Sequence, residues 1–279
     1  MVYWFWRYIP CKGVKLAFDD FAIFPEAEPG ILYLRRRDPK QPLRIKRKHI
    51  QEDEEQTFKK VDGVDFEISL RSLGGDGTFD LNPVHVFSFL LMMKTGGWIN
   101  APTVLNVSML DEPDVDGRHV YCTPFIDAVP AHYRDVTMTI EDAEWIRNHM
   151  ATGLRFTEEA IFQNAMQALT SFHCVPYPNV ALLLAWSGLE ALFKTETELS
   201  FRLCLYIANF LKTGPERTEL FDLLRKSYTA RSRVAHGSGG RLPDLPEAAH
   251  FARNVLLSCL TRCIELGHFP EPKQLTFGK

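Results

Sequence analysis

The spacing of hydrophobic residues changes character near residue 140 of this 279-residue chain. Before that point, short runs rich in aromatic and β-branched residues alternate with glycine and proline, which is typical of strands and turns. After it, hydrophobic residues recur at helical spacing over longer segments. The pattern predicts an α+β protein, with a β-rich mixed domain over residues 1–140 and an all-α helical bundle over residues 141–279.

The first half contains seven segments with the composition of strands and one with that of a helix. Segment 2–9 is hydrophobic on both alternating faces, which predicts a buried strand. The helix is predicted over residues 83–94, because Gly96 and Gly97 can end it. The other predicted strands cover residues 14–24, 31–34, 66–70, 103–108, 120–126 and 136–138.

Six helices are predicted in the second half from start and stop signals. Thr139 and Thr157 are expected to cap the first two through their hydroxyl groups. Pro178 can open the third helix, and Gly214 and Gly267 follow the fourth and the sixth. The predicted helices cover about residues 140–150, 158–173, 180–194, 198–212, 216–233 and 246–266. Short connections favour antiparallel neighbours, as in a bundle.

Composition and charge limit the classes of protein to which this chain can belong. The chain is 46% hydrophobic with a formal net charge of −3, so any RNA contact needs a local basic patch. Its hydrophobic N-terminus lacks the features of a signal peptide, and Glu190 interrupts one of the two longest hydrophobic runs. These runs are too short to span a membrane. A soluble cytoplasmic protein is expected.

The six cysteines form no Cys-x-x-Cys pair. Cys259 and Cys263 have helical spacing without histidines nearby, which does not fit a zinc site. Free, buried thiols in a reducing cytoplasm are expected instead. We expect neither a metal nor a cofactor.

The segment YTARSRVAHG, residues 228–237, carries the clearest candidate chemistry. Arg231 stays charged and can bind two phosphate oxygens, and His236 can exchange a proton near neutral pH. RNA supplies its own nucleophile, the 2′-hydroxyl group, so this pair can cleave RNA without a metal. The alternative is structural, because an arginine at a helix end often forms an ion pair or binds carbonyl groups.

Three segments carry a family resemblance: LAWSGLEALF at 184–193, ELSFRL at 198–203, and residues 228–237. In the last, Arg231 and His236 match an Arg-x4–6-His motif. Over about residues 141–270 the chain resembles the HEPN superfamily, in particular its Apea-like branch.

Two other pairs also fit the bare spacing of this motif: Arg44 with His49, and Arg262 with His268. Neither has the preceding helical segments in the order found in the family. The surroundings of the motif therefore carry the resemblance, and its spacing alone does not.

The resemblance implies that Arg231 and His236 are the catalytic residues of a metal-independent endoribonuclease. The products would carry 2′,3′-cyclic phosphate and 5′-hydroxyl ends. It also implies a homodimer in which the helical domains form a shared cleft, a regulatory protein partner, and a role in anti-phage defence or stress response, as for a toxin. The β-rich domain would sense a trigger or select RNA. The alternative is a non-catalytic HEPN module that binds RNA or protein in a larger defence system.

Ser232 and Tyr228 are candidate supporting residues beside the motif. Two readings of Ser232 are open. It has a functional role, in which it orients His236 or contacts phosphate, or it is an ordinary serine at a helix end. Tyr228 lies one helical turn before Arg231. It stacks on a base, supports the arginine, or packs in the core.

Glu190 and Arg202 are candidate supporting residues on other helices. Glu190 interrupts a hydrophobic face, so its carboxylate needs a partner, which is Arg202, Arg231 or solvent at the rim. Arg202 begins a polar stripe with Tyr206 and Asn209, which lines an RNA cleft or faces water.

A basic segment in the first half is a candidate phosphate-binding track. The alternative is a solvated hairpin or loop, partly neutralised by the acidic residues 52–55. The candidate RNA-binding residues are Arg35, Arg36, Arg37, Arg44, Lys46, Arg47 and Lys48.

Overall fold

The computed structural model describes residues 3–24, 30–48, 55–74, 80–111, 114–122, 136–194, 199–237 and 244–277. It confirms the α+β class, with a strand-rich first half and a helical second half. Two compact units divide mainly between Leu154 and Arg155. Helix α2 (Ile140–Phe156), which follows the predicted boundary at residue 140, therefore lies mostly in the first unit.

The strands of the first unit form three sheets. The largest has the order β10-β8-β1-β7-β4-β3, a second has the order β6-β5-β9, and β2 pairs with β11. Helix α1 (Asn82–Thr95) contacts β4. The strands are β1 (Tyr3–Cys11), β2 (Val14–Leu16), β3 (Asp20–Phe24), β4 (Gly30–Arg36), β5 (Leu43–Lys48), β6 (Glu55–Val61), β7 (Phe66–Gly74), β8 (Val104–Leu105), β9 (Asp114–Asp116), β10 (Val120–Cys122) and β11 (Val136–Met138).

One face of the six-stranded sheet is a hydrophobic core. Ile9 pairs with Ile68 and Leu70 with Leu32, and directly paired antiparallel residues share a face. These four side chains, together with Leu34, are fully buried. A second buried cluster joins the three-stranded sheet to β8 and consists of Leu43, Ile45, Val61, Val64, Leu105, Met109 and Val115.

Several strand predictions need correction. The predicted strand 14–24 is two strands, β2 and β3, and strand β9 was not predicted. For the basic segment the sequence left a hairpin or a loop open, and the structure shows antiparallel pairing of β5 with β6. In β5, Leu43 and Ile45 are buried while Arg44 is exposed. Because basic residues occupy the exposed positions of this half-buried strand, its hydrophobic pattern is weak in the sequence. The prediction of a buried first strand is also wrong in part, because Phe5 is 40% and Trp6 is 37% exposed.

The second unit is a helical bundle around α4, which contacts α3, α5, α6 and α7. Gly188 permits the close packing: a Cβ atom there would lie 2.7 Å from Leu256 Cδ2 and 3.0 Å from Ala168 Cβ. The helices are α3 (Ala160–Cys174), α4 (Pro178–Phe193), α5 (Leu199–Leu211), α6 (Pro215–Ala235), α7 (Leu245–Leu266) and α8 (Pro272–Phe277).

The helix signals have mixed outcomes. Thr139 caps α2 in a reciprocal arrangement, in which the Asp142 N–H donates to Thr139 Oγ1 at 3.3 Å and the Thr139 N–H donates to Asp142 Oδ2 at 3.0 Å. The prediction for Thr157 is wrong, since α3 begins only at Ala160. The short helix α8 was not predicted. In the described part of the chain, no helix combines the length and the hydrophobicity needed to cross a membrane.

Candidate functional site

Helices α4 and α6 bring Glu190 and Arg231 together. Arg231 Nη2 lies 2.9 Å from Glu190 Oε1 and donates to Oε2 at 3.1 Å. The two side chains are 26% and 25% exposed, so the ion pair lies at the edge of the bundle and not in its core. Of the partners considered for Glu190, the structure therefore shows Arg231.

Tyr228 supports the same guanidinium from the preceding turn of α6. The centre of its ring lies 5.4 Å from Arg231 Cζ, within the range of a cation–π contact. The ring also meets the fully buried Trp186 edge-on, at 5.0 Å between centroids. Trp186 Nε1 in turn donates to Ser227 Oγ at 3.2 Å. The arginine is thus positioned by contacts that extend into the core.

Burial and charge oppose each other at Glu190. Burial raises the pKa of its carboxyl group, while the Arg231 charge and hydrogen bonds from Tyr228 and Arg231 lower it. The net result is a raised pKa. Arg231 Nε is buried and has no hydrogen-bond partner among the described residues. Arg231 therefore keeps one unused donor beside the ion pair.

His236 lies at the C-terminal end of α6, and its side chain is exposed. Its N–H donates to the Ser232 carbonyl at 3.1 Å, and Gly237 follows with a positive φ of 69°. That left-handed conformation is the usual end of a helix and suits glycine. Within the described residues, neither the Ser232 hydroxyl nor the His236 imidazole makes a hydrogen bond, so the structure does not show Ser232 orienting His236.

Arg231 and His236 lie at different positions around the axis of α6. Five residues along an α-helix correspond to a rise of about 7.5 Å and a rotation of about 140°. Arg231 accordingly reaches Glu190 on α4, whereas His236 lies in solvent at the helix end. One copy of the chain therefore holds the two groups on neighbouring but different parts of its surface.

The predicted polar stripe on α5 does not face a cleft along its whole length. Tyr206 is buried, and its hydroxyl lies 3.0 Å from Thr276 Oγ1. Asn209 Nδ2 donates to the Leu275 carbonyl at 2.7 Å. Helix α8 thus covers this part of α5, and only Arg202 is exposed.

The predicted basic track is divided between two sheets, because Arg35 and Arg36 belong to β4 and Arg44 to β5. Arg36 pairs with Asp19. Arg35 lies 3.8 Å from Glu67 Oε1 and 4.0 Å from Asp111 Oδ1. Acidic partners therefore neutralise part of the track.

The other members of the basic segment differ in environment. Arg37 is buried, and its Nη1 donates to Met109 Sδ at 3.4 Å. Lys46 pairs with Asp114 at 3.2 Å, while Arg44 is exposed. The side chains of Arg47 and Lys48 lie outside the described part of the structure. Arg44 pairs across the strands with Asp114, but no ion pair of Arg44 is found among the described residues.

Glu67 is a buried carboxylate that sequence reasoning missed. It accepts hydrogen bonds from Ser108 Oγ at 2.9 Å and from the Met109 N–H at 2.9 Å. Burial raises the pKa of this carboxyl group, although these hydrogen bonds and Arg35 oppose the rise. The alternation of Phe66, Glu67 and Ile68 indicates a polar strand face, but the donors come from a loop about 40 residues away in the sequence.

Three further observations do not involve the candidate residues. A groove of about 540 Å³ lies between α6 and α7, and neither Arg231 nor His236 is among its described lining residues. Cys11, Cys204, Cys259 and Cys263 are free and buried, whereas Cys174 is exposed. Among the described residues, no group of three His, Cys, Asp or Glu side chains is arranged to hold a metal ion.

Comparisons with protein-family models, with curated proteins and with solved structures give no match for the chain. The candidate site therefore stands on the sequence resemblance and on the geometry around Arg231.

Proposed function

We propose that this chain is a metal-independent endoribonuclease of the HEPN type, acting in the cytoplasm in anti-phage defence or stress response. The observation that carries the proposal is the last two turns of α6. They hold a half-buried arginine that Glu190 and Tyr228 position, and they end on an exposed histidine.

The chemistry assigns one role to each side chain. His236 would take the proton from the 2′-hydroxyl group or give one to the departing 5′-oxygen. Arg231 would bind the phosphate oxygens, whose charge increases as the 2′-oxygen attacks. The attack forms a 2′,3′-cyclic phosphate and leaves a 5′-hydroxyl end. No metal is required, because the nucleophile belongs to the RNA.

The rotation of about 140° between Arg231 and His236 supports a site built by two copies of the chain. In a homodimer with a two-fold axis near the end of α6, Arg231 of one copy and His236 of the other can approach the same phosphate. This arrangement uses the exposure of His236 and does not require Arg231 to leave Glu190.

Cleavage of RNA in the presence of EDTA tests the proposal. Wild type should release fragments with cyclic phosphate ends, while Arg231→Ala and His236→Ala should lose about 100-fold or more in rate. The pair Arg262 and His268 offers a matched control, because its spacing is similar and it lies at the end of another helix: Arg262 is in α7 and His268 follows that helix. Alanine variants of that pair should keep the wild-type rate.

Each alternative result has a defined meaning. Equal cleavage by wild type and both α6 variants would rule out the proposed site. Cleavage that disappears with EDTA would contradict the metal-independent mechanism.

The second candidate function is a non-catalytic module that binds RNA or protein. It is favoured by the ion pair itself, because a guanidinium that already binds both oxygens of Glu190 is partly neutralised. If the wild type does not cleave RNA and Arg231→Ala loses stability, this candidate would be favoured.

A further inference from the structure

One face of the six-stranded sheet is lined by aromatic rings and arginines. Trp6 and Tyr8 lie on β1, Tyr33 and Arg35 on β4, and Arg71 on β7 between them. We call these five residues the aromatic face. They lie opposite the hydrophobic core of the sheet, which is formed by the alternate residues of the same strands.

The strand register places the five residues side by side. Trp6 pairs with Arg71, while Ser69 pairs with Tyr8 on one side and with Tyr33 on the other. Directly paired residues point to the same face. The two tyrosine side chains therefore flank a small serine, with their strands roughly 10 Å apart.

The rings and cations of this face are accessible to a ligand. Trp6 is 37% exposed, the Arg35 side chain is 41% exposed, and Tyr8, Tyr33 and Arg71 are half-buried. The Trp6 and Tyr8 rings are nearly parallel, with centroids 6.3 Å apart and 18° between their planes. They thus form a stacked pair of rings along one strand.

The far end of the same sheet face is closed. Glu67, two residues along β7 from Ser69, is fully buried beneath Ser108 and Met109. Tyr8 also packs in part against the second hydrophobic cluster. The open region therefore extends from Arg35 and Tyr33 towards Trp6 and Arg71.

We propose that the aromatic face binds single-stranded RNA by stacking unpaired bases on Trp6 and Tyr33. Flat rings interleaved with arginines suit this ligand, since any base can stack and the arginines attract the phosphates. In a duplex, the bases stack on each other and cannot lie on these rings. Among the described residues, Arg35 lies 3.8 Å from Glu67 and 4.0 Å from the exposed Asp111.

This inference deepens the proposed ribonuclease activity, because it names the form of RNA that the first unit selects. Its test does not depend on cleavage. Binding of a labelled single strand of roughly 12 nucleotides is measured by fluorescence anisotropy, with every protein carrying His236→Ala so that the strand stays intact. The same strand annealed to its complement is the duplex probe.

Trp6→Ala combined with Tyr33→Ala should weaken binding of the single strand about 10-fold or more. Trp6→Phe combined with Tyr33→Phe keeps both rings and should stay within about threefold of the parent. Tyr177→Ala removes an aromatic ring that is 66% exposed on another part of the chain, and should change nothing. The duplex should bind about 10-fold more weakly than the single strand.

Circular dichroism establishes that each variant is folded, and Trp6→Glu provides a second, single change at an exposed ring if the double alanine variant unfolds. Unchanged affinity in the folded alanine or glutamate variant would overturn the inference. So would equal binding of the duplex, or no binding by the parent, as expected if this face binds a protein instead. If His236→Ala abolishes cleavage but keeps binding, both proposals stand. If binding is absent while cleavage persists, only this one falls.

Discussion

A buried carboxylate needs hydrogen-bond donors or a cation to replace its contacts with water, and Glu67 and Glu190 obtain them differently. Glu67 accepts hydrogen bonds from a backbone N–H and two serine hydroxyls, with Arg35 at 3.8 Å. Glu190 has a direct ion pair with Arg231 at 2.9 Å. Removal of charge should therefore have different consequences at the two positions.

At Glu190, loss of the charge should weaken the positioning of Arg231. We expect Glu190→Gln and Arg231→Met each to lower the free energy of unfolding by about 1–2 kcal/mol, because each leaves a partly buried partner unpaired. The double variant should lose less than the sum, which urea unfolding of all four proteins can measure. Strict additivity would contradict the coupling of these side chains.

At Glu67, stability should depend on pH with a defined sign. Because burial raises the pKa in the folded protein, the unfolded chain loses this proton first as the pH rises. Ionisation of Glu67 therefore lowers the free energy of unfolding between the ordinary carboxyl pKa and the raised one. The difference in the free energy of unfolding, Glu67→Gln minus wild type, should therefore increase from about pH 4 to about pH 7. Urea unfolding at both pH values measures this difference, and a constant or falling value would contradict the assignment.

The helices of the second unit were the most predictable elements. Pro178 and Gly267 mark the observed start of α4 and the end of α7. Strand β5 was not predicted firmly, because Leu43 and Ile45 alternate with basic residues in a segment that fits either a solvated hairpin or a loop. The boundary between helix and loop near Thr157 also failed, since local composition does not show which hydroxyl will cap a helix.

The contacts of the site were less predictable than its position. The sequence identified Arg231, His236, Tyr228 and Glu190 through the family resemblance and local spacing. It left open whether Arg231 or Arg202 binds Glu190, because that choice depends on how α4, α5 and α6 pack. It also predicted that this helix ends near residue 233, whereas the observed α6 extends to Ala235.

Close packing of α4 should make Gly188 intolerant of a side chain. In Gly188→Ala, the new Cβ would meet the buried side chain of Leu256 and the Cβ of Ala168. We expect a loss of about 1–3 kcal/mol in the free energy of unfolding, which exceeds the gain in helix propensity. Ser187→Ala, at an exposed position next to it, should change stability by less than about 0.5 kcal/mol. Equal effects of the two changes in urea unfolding would contradict this packing.

The cap of α2 gives a prediction for the first unit. Thr139→Ala removes the hydroxyl that accepts from the Asp142 N–H, and should cost about 1 kcal/mol. Thr218→Ala removes a hydroxyl at an exposed position inside α6, and should change stability by less than about 0.5 kcal/mol. Thermal unfolding followed by circular dichroism compares the two variants, and a similar shift for both would contradict the cap.

At the scale of the whole molecule, the proposals assign different tasks to the two units. The aromatic face of the first unit would hold single-stranded RNA, and the end of α6 in the second would cleave it. In the proposed homodimer, each site would combine Arg231 of one copy with His236 of the other. An experiment can distinguish such a shared site from a site within one chain.

Mixing two inactive variants tests the central claim most directly. The measurement is the rate of RNA cleavage in EDTA by Arg231→Ala, by His236→Ala and by their equimolar mixture after subunit exchange. Each variant alone should be inactive. The mixture should recover about a quarter of the wild-type rate, because half of the dimers are mixed and each of these has one complete site. Full activity of either variant alone would contradict the roles of Arg231 and His236, and an inactive mixture would contradict a site shared between two copies.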